Sequence, residues 1–197
     1  MATTEYLLRK EVDRVLAVLT PVNRLIVRTM LETGLRIGDV LNLQYWQIRT
    51  NFWVTEQKTG KRRHIGMSQQ LIDDIRAAAD EVIPPNVRKY AGSEYRKDAP
   101  VAWAFPSPRD WRKHRTRQGV WKDIKRAATA FRIPVNAGTH SMRKVYAVEL
   151  LKKYGDIEKV KRALNHSDMT VTLIYAMADR LVEAGHLAKV CKNGKRR

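Results

Sequence analysis

Cysteine is almost missing from this chain. Cys191 stands alone, so no intramolecular disulfide framework and no cysteine-rich zinc site can form, and a reducing cytoplasm suits it. Acidic residues are few beside basic ones: 20 Asp and Glu against 38 Lys and Arg, a formal net charge of +18. That excess goes beyond what solubility needs and points to a polyanion, of which nucleic acid is the commonest. No apolar run approaches the roughly 18 residues of a membrane span. The first residues, Met1-Ala2-Thr3-Thr4-Glu5, lack the basic and then apolar regions of a secretion signal. Internal repeats are absent. Hydrophobic residues make up 44% of the 197, which is enough for a packed core and not the composition of a disordered chain.

The pattern along the chain is mostly helical. Thr4 is placed to cap a first helix, with Leu8, Val12, Val15, Leu16 and Leu19 at helical spacing. Thr20-Pro21 opens a second, whose apolar face is Val22, Leu25, Ile26 and Met30 and whose stop is Gly34. A third carries Arg36, Val40, Leu41 and Leu43. Residues 52–56 and 62–66 are predicted as a hairpin around Lys58-Thr59-Gly60-Lys61. Ser68 caps a helix that Pro84-Pro85 stops. Residues 84–116 hold five of the seven prolines, so little regular structure is expected there beyond a short third strand at 101–105. Helices are predicted again from Thr116 to Phe131, from Thr139 to Tyr154 with Gly155 as the stop, from Asp156 to Leu164, from Thr170 through Tyr175, and over 181–190. The expected class is mainly α with a small antiparallel β-sheet, an α+β fold.

Several polar residues fit this scaffold in two ways. His140 and Arg143 lie at i,i+3 and share a helix face beside the apolar Met142, Val145, Tyr146 and Leu150. Alone, they are an ordinary surface pair. Arg36 and Asp39 have the same spacing, which gives either an exposed ion pair or a carboxylate fixing a guanidinium that offers its fork to phosphate. Lys58 and Lys61 in a hairpin turn are ordinarily solvated. Tyr175, after Val171 and Ile174, is by itself a core residue.

Taken in order, however, Arg36, Lys58, His140-x-x-Arg143, His166 and Tyr175 resemble the catalytic core of the tyrosine recombinases, the phage integrase family. The likeness runs from about Thr33 to Tyr175. Thr33-Gly34-Leu35-Arg36-Ile37-Gly38-Asp39-Val40-Leu41-Asn42-Leu43 is similar to the family's first arginine box, and Leu164-Asn165-His166 to its Leu-Gly-His. Three positions depart: Asn165 replaces Gly, Met142 replaces Leu, and Lys144 replaces His or Arg.

The resemblance implies a catalytic set of Arg36, Lys58, His140, Arg143, His166 and Tyr175, supported by Asp39. Arg36 and Arg143 would neutralise the phosphate oxygens, and Tyr175 would attack phosphorus. His140 or His166 would accept its proton or orient the phosphate. Lys58, with Lys61 as competitor, would protonate the leaving 5′ oxygen. The product is a 3′-phosphotyrosyl intermediate, made without ATP, cofactor or metal. DNA contacts are expected from Lys61, Arg62, Arg112, Lys113, Arg115, Arg117 and Lys144.

The implied partner is double-stranded DNA at specific recombination sites, bound by a homo-tetramer (a dimer of dimers) with accessory DNA-bending proteins and no membrane. The expected setting is the bacterial or phage-host cytoplasm, at the nucleoid, or a host cell's cytoplasm for a viral chain. One catalytic domain over 1–188, a basic tail over 189–197 and no separate N-terminal DNA-binding domain are expected, an organisation similar to the short recombinases that invert fimbrial promoter segments. Two other readings stand beside a recombinase: a non-catalytic DNA-binding regulator or accessory protein with this fold, and a type IB topoisomerase-like activity.

Overall fold

The computed structural model describes residues 4–88 and 101–164. Its helices are α1 (Arg9–Val18), α2 (Pro21–Thr33), α3 (Ile37–Leu41), α4 (Gln69–Asp80), α5 (Pro85–Arg88), α6 (Arg117–Ala130), α7 (Thr139–Tyr154) and α8 (Ile157–Leu164). Two strands, β1 (Asn51–Thr55) and β2 (Arg62–Gly66), form one antiparallel hairpin. The expected class is what the chain adopts. None of the described helices is long and apolar enough to cross a membrane.

α2 packs against α7, α4 and α3, and α1 packs against α6. Val12, Ile26, Leu41, Ile72, Ile124 and Val145 join in one core. Full burial of such a side chain contributes about 1.5–3 kcal/mol. The hairpin alternates as a strand pair with one buried face must: Phe52, Val54, Arg63 and Ile65 point inward, while Trp53 and His64 point out. Its register sets Thr55 opposite Arg62 and Asn51 opposite Gly66.

Gly34 ends α2 with φ +66°, a left-handed conformation that glycine adopts without a Cβ penalty. A Cβ there would also stand 2.3 Å from the Tyr146 ring. Bare backbone is thus required twice over, and it brings α7 against the turn that leads into Arg36.

Three local expectations change. The first helix starts at Arg9, because the Glu11 side chain accepts the Leu8 N–H at 2.8 Å and closes the first turn there. Just before it Leu8 is extended, and the Glu5 N–H is bonded to the Asn136 carbonyl at 3.1 Å. The third strand is reduced to a bridge between Gln44 and Trp103. Only Tyr45 N–H to Ala102 O and Ala104 N–H to Leu43 O are formed, because the facing segment turns into a 3-10 helix at Tyr45–Gln47 and no ladder can continue. Arg36 is the N-cap of α3, with ψ 152°, rather than a residue within it. The predicted helices containing Tyr175 and spanning 181–190 lie outside the described residues.

Candidate active site

Arg36 leaves the chain just after the Gly34 turn. Its backbone is extended, so its side chain is not carried on the α3 face that the i,i+3 spacing to Asp39 presumed. It turns to the hairpin, where its Nη1 donates to Glu56 Oε2 at 2.5 Å. Asp39 does not orient the guanidinium, as the spacing had suggested. Its Oδ1 accepts the Gln57 backbone N–H at 2.9 Å and so pins the hairpin end to α3.

Glu56 was not among the sequence candidates. It immediately follows β1 and is fully buried. Besides Arg36, its Oε1 faces Arg63 Nη1 at 3.5 Å, and its Oε2 accepts from Thr59 Oγ1 at 3.1 Å. Burial alone would raise the carboxyl's pKa. The hydrogen bond and charge of Arg36, joined by the charges of Arg143 and Arg63, outweigh that and hold it below its ordinary value. A signal for it did exist: Glu56 continues the inward register of Phe52 and Val54, and an acid in an apolar register needs a cation.

Arg143, in the second turn of α7, is 2% exposed. It donates to the carbonyl of Gly34 through Nη1 and to that of Leu164 through Nη2, the latter at 2.5 Å. One guanidinium thus joins the turn before Arg36 to the last residue of α8. The segment that follows, with His166, and then Tyr175, lies outside the described residues.

His140, one turn before Arg143, keeps an exposed face. Its other side is crowded enough that lost solvation is the largest cause lowering its pKa below 6.5. The charges of Arg117, Arg143, Arg36 and Lys58 push the same way. Four of the expected catalytic residues, Arg36, Lys58, His140 and Arg143, are therefore close enough to share one electrostatic neighbourhood, and Arg117 at the start of α6 joins them.

The remaining basic candidates divide. Lys58 is exposed in the hairpin turn, Lys61 is exposed just before β2, and Arg62 is exposed and stacks on Trp53 at 5.0 Å. Arg112 stacks on Trp111 at 4.9 Å, and Arg112 and Lys113 face Asp110 at 3.8 and 3.7 Å. Arg115 is half-buried, and desolvation lowers its pKa against the pull of Asp123. Lys144 is half-buried, and its Nζ donates to the Thr4 carbonyl at 2.6 Å. In the DNA-free protein this residue, expected to contact DNA, ties the N-terminal segment to α7.

A basic neighbourhood of Arg36, Lys58 and Arg117 beside an exposed imidazole, with Arg143 buried behind it, suits a phosphodiester. The profile of the phage integrase family matches residues 5–181, and the chain belongs to that family. It is 30% identical over 152 residues to a probable integrase/recombinase, YoeC of Bacillus subtilis, covering 76% of this chain and 74% of YoeC. To the tyrosine recombinase XerD of Agrobacterium fabrum it is 28% identical over 181 residues, covering 86% of this chain and 54% of that protein. The chain thus spans about half the length of this XerD relative. In fold it is similar to the crystal structure of XerA recombinase, with a TM-score of 0.67 at 20% identity over 92% of this chain and 63% of that one. It is likewise similar to a lambda integrase tetramer bound to a Holliday junction, at 0.64 and 17% over 89% and 49%.

Proposed function

We propose that this protein is a site-specific DNA recombinase that cleaves and rejoins strands through a covalent tyrosine intermediate. The observation carrying this reading is that Arg36, Lys58, Arg117 and Arg143 all lie near enough to the exposed His140 for their charges to lower its pKa. Such a patch attracts a phosphodiester and offsets the charge that grows on its oxygens in the transition state.

In the proposed reaction the Tyr175 oxygen attacks phosphorus. His140, neutral at pH 7, or His166 takes the phenolic proton. The bond to the 5′ oxygen breaks, and Lys58 supplies that oxygen's proton. A strand with a free 5′ hydroxyl then reverses the step, and the phosphodiester energy is conserved throughout. Arg143 is enclosed in the DNA-free protein and acts first through its field; Arg36 is the more accessible fork. Duplex DNA is the partner, and a homo-tetramer is the working assembly, by analogy with the integrase tetramer on a Holliday junction. The catalytic unit spans 1–188, with 189–197 as a basic tail.

The test is a pool of nicked duplexes of varied sequence, from which a short strand is lost on cleavage and the adduct is trapped. Wild-type protein should yield a covalent band on a denaturing gel from a narrow set of sequences. Tyr175→Phe should lose the band while keeping the native gel shift. A band that survives in Tyr175→Phe overturns the nucleophile. Sequence-specific binding without any adduct identifies a regulator, and adducts formed on all sequences alike identify a topoisomerase-like enzyme.

A further inference from the structure

We propose that Glu56 is a positioning residue for strand cleavage, holding the phosphate-binding Arg36 and the Lys58 turn in fixed relation. The inference rests on the recombinase reading above and adds to it a residue outside the expected catalytic set.

Geometry carries it. Glu56 meets Arg36 with one carboxylate oxygen and Arg63 with the other, at 2.5 and 3.5 Å. The same side chain reaches into the hairpin turn, accepting from Thr59 Oγ1 at 3.1 Å. Its backbone closes that turn as well: Glu56 N–H donates to Lys61 O at 3.0 Å, and Gly60 N–H donates to Glu56 O at 2.8 Å. Lys58 lies inside this closure. A single residue thus fixes both the guanidinium expected to hold the phosphate and the loop bearing the expected general acid.

The chemistry is costly if it is only structural. A buried carboxylate gives up its hydration, and a hairpin end can be packed as well by apolar residues. What an apolar residue cannot do is orient a guanidinium. Glu56 engages Nη1 of Arg36. Among the described residues the remaining Arg36 donors make no hydrogen bond, and an arginine has five donors in all. The fork is therefore held at one prong and leaves the others for phosphate oxygens. Arg63, buried across the hairpin, helps keep the carboxylate ionised while the other prongs of Arg36 engage DNA.

The experiment uses the duplex captured by the wild-type protein. Glu56→Gln keeps the shape and removes the charge, and it should form adduct about 100-fold more slowly, the size expected of a misplacement near 1 Å. Its DNA affinity should stay equal or rise, since an anion beside the phosphate site is gone. A merely structural role predicts two things differently. First, Glu56→Gln and Arg36→Ala combined should cost clearly less than the product of their single defects, the remainder coming from the Lys58 turn, whereas independent damage multiplies in full. Second, a substrate whose scissile phosphate is a methylphosphonate lacks one anionic oxygen and depends less on Arg36. On that substrate the defects of Arg36→Ala and Glu56→Gln should shrink together and for the same stereoisomer. Multiplying defects, or a Glu56→Gln defect that ignores the methylphosphonate, overturns the proposal.

Where Glu56→Gln fails to fold by circular dichroism, Glu56→Asp decides by the same two comparisons, because it keeps the charge but draws the oxygens back by one methylene. Should wild-type protein capture no duplex at all, the recombinase reading itself fails, and this inference falls with it. That outcome is distinct from capture by wild type with unaltered Glu56 variants.

Discussion

A neutral imidazole is what His140 presents at pH 7. Its pKa lies below 6.5 because solvation is lost on one side and because Arg117, Arg143, Arg36 and Lys58 disfavour a further positive charge. As pH falls, the unfolded chain therefore protonates this histidine first, and the folded state loses stability below about 6.5, progressively as the folded pKa is passed. NMR titration of the DNA-free protein should place the His140 midpoint below 6.5. Arg117→Ala should move it up, and a bound duplex should move it up further, since phosphate opposes the four cations. A free-protein midpoint at or above 6.5 would contradict the crowding described. Residues with local partners were legible in the sequence. Arg36, His140 and Arg143 announce themselves by spacing and box. The misreading of Asp39 came from treating Arg36 as helical. At an N-cap with ψ 152° the i,i+3 rule does not apply, and the guanidinium was free to find Glu56, 20 positions away.

Among the elements, α2 shows how a distant side chain can replace a local cap. Thr20 stands at its N-cap but forms no side-chain cap bond of its own. Instead Asp123 of α6 accepts from Thr20 N–H at 3.0 Å, Thr20 Oγ1 at 2.9 Å and Asn23 Nδ2 at 2.8 Å, with Arg126 at 2.6 Å on its other oxygen. A carboxylate at a helix N-terminus also meets the positive end of the dipole. Burial would raise its pKa, but these bonds win and lower it from 3.8 to about 2. A lowered carboxyl stabilises the fold above its unfolded pKa and loses that contribution as pH falls through the folded one. The amount is about 2 kcal/mol, at 1.36 kcal/mol per unit. Chemical denaturation at pH 5 and pH 2.5 should show wild type losing more stability than Asp123→Asn across that interval. Equal losses would mean the network is solvated in solution. Element ends were readable wherever one residue type sets them, as at Gly34 and Gly155, both left-handed. The start of α1 and the missing third strand were not, because Glu11 competes with Thr4 for the cap and the 43–45 segment curls away after two bonds.

For the whole molecule, charge dominates. On the proposed function, the net +18 should give a salt-dependent affinity for DNA whatever the sequence bound. Deleting 192–197 removes Lys192, Lys195, Arg196 and Arg197. The log–log salt slope of duplex binding should become shallower by roughly 3–4, with each of the four releasing one counterion. An unchanged slope would show that the tail does not touch phosphate. The Asp123 network has a further consequence, in time rather than in energy. Thr20 and Asp123 are 103 positions apart. A ribosome adding about 5–20 residues per second makes the second roughly 5–20 seconds after the first. Throughout that interval the nascent α2 carries an uncapped first turn, and α7, which packs against it, has not yet been made. The N-terminal third of this chain is therefore expected to leave the ribosome as a client for chaperones, and to dock only when α6 emerges.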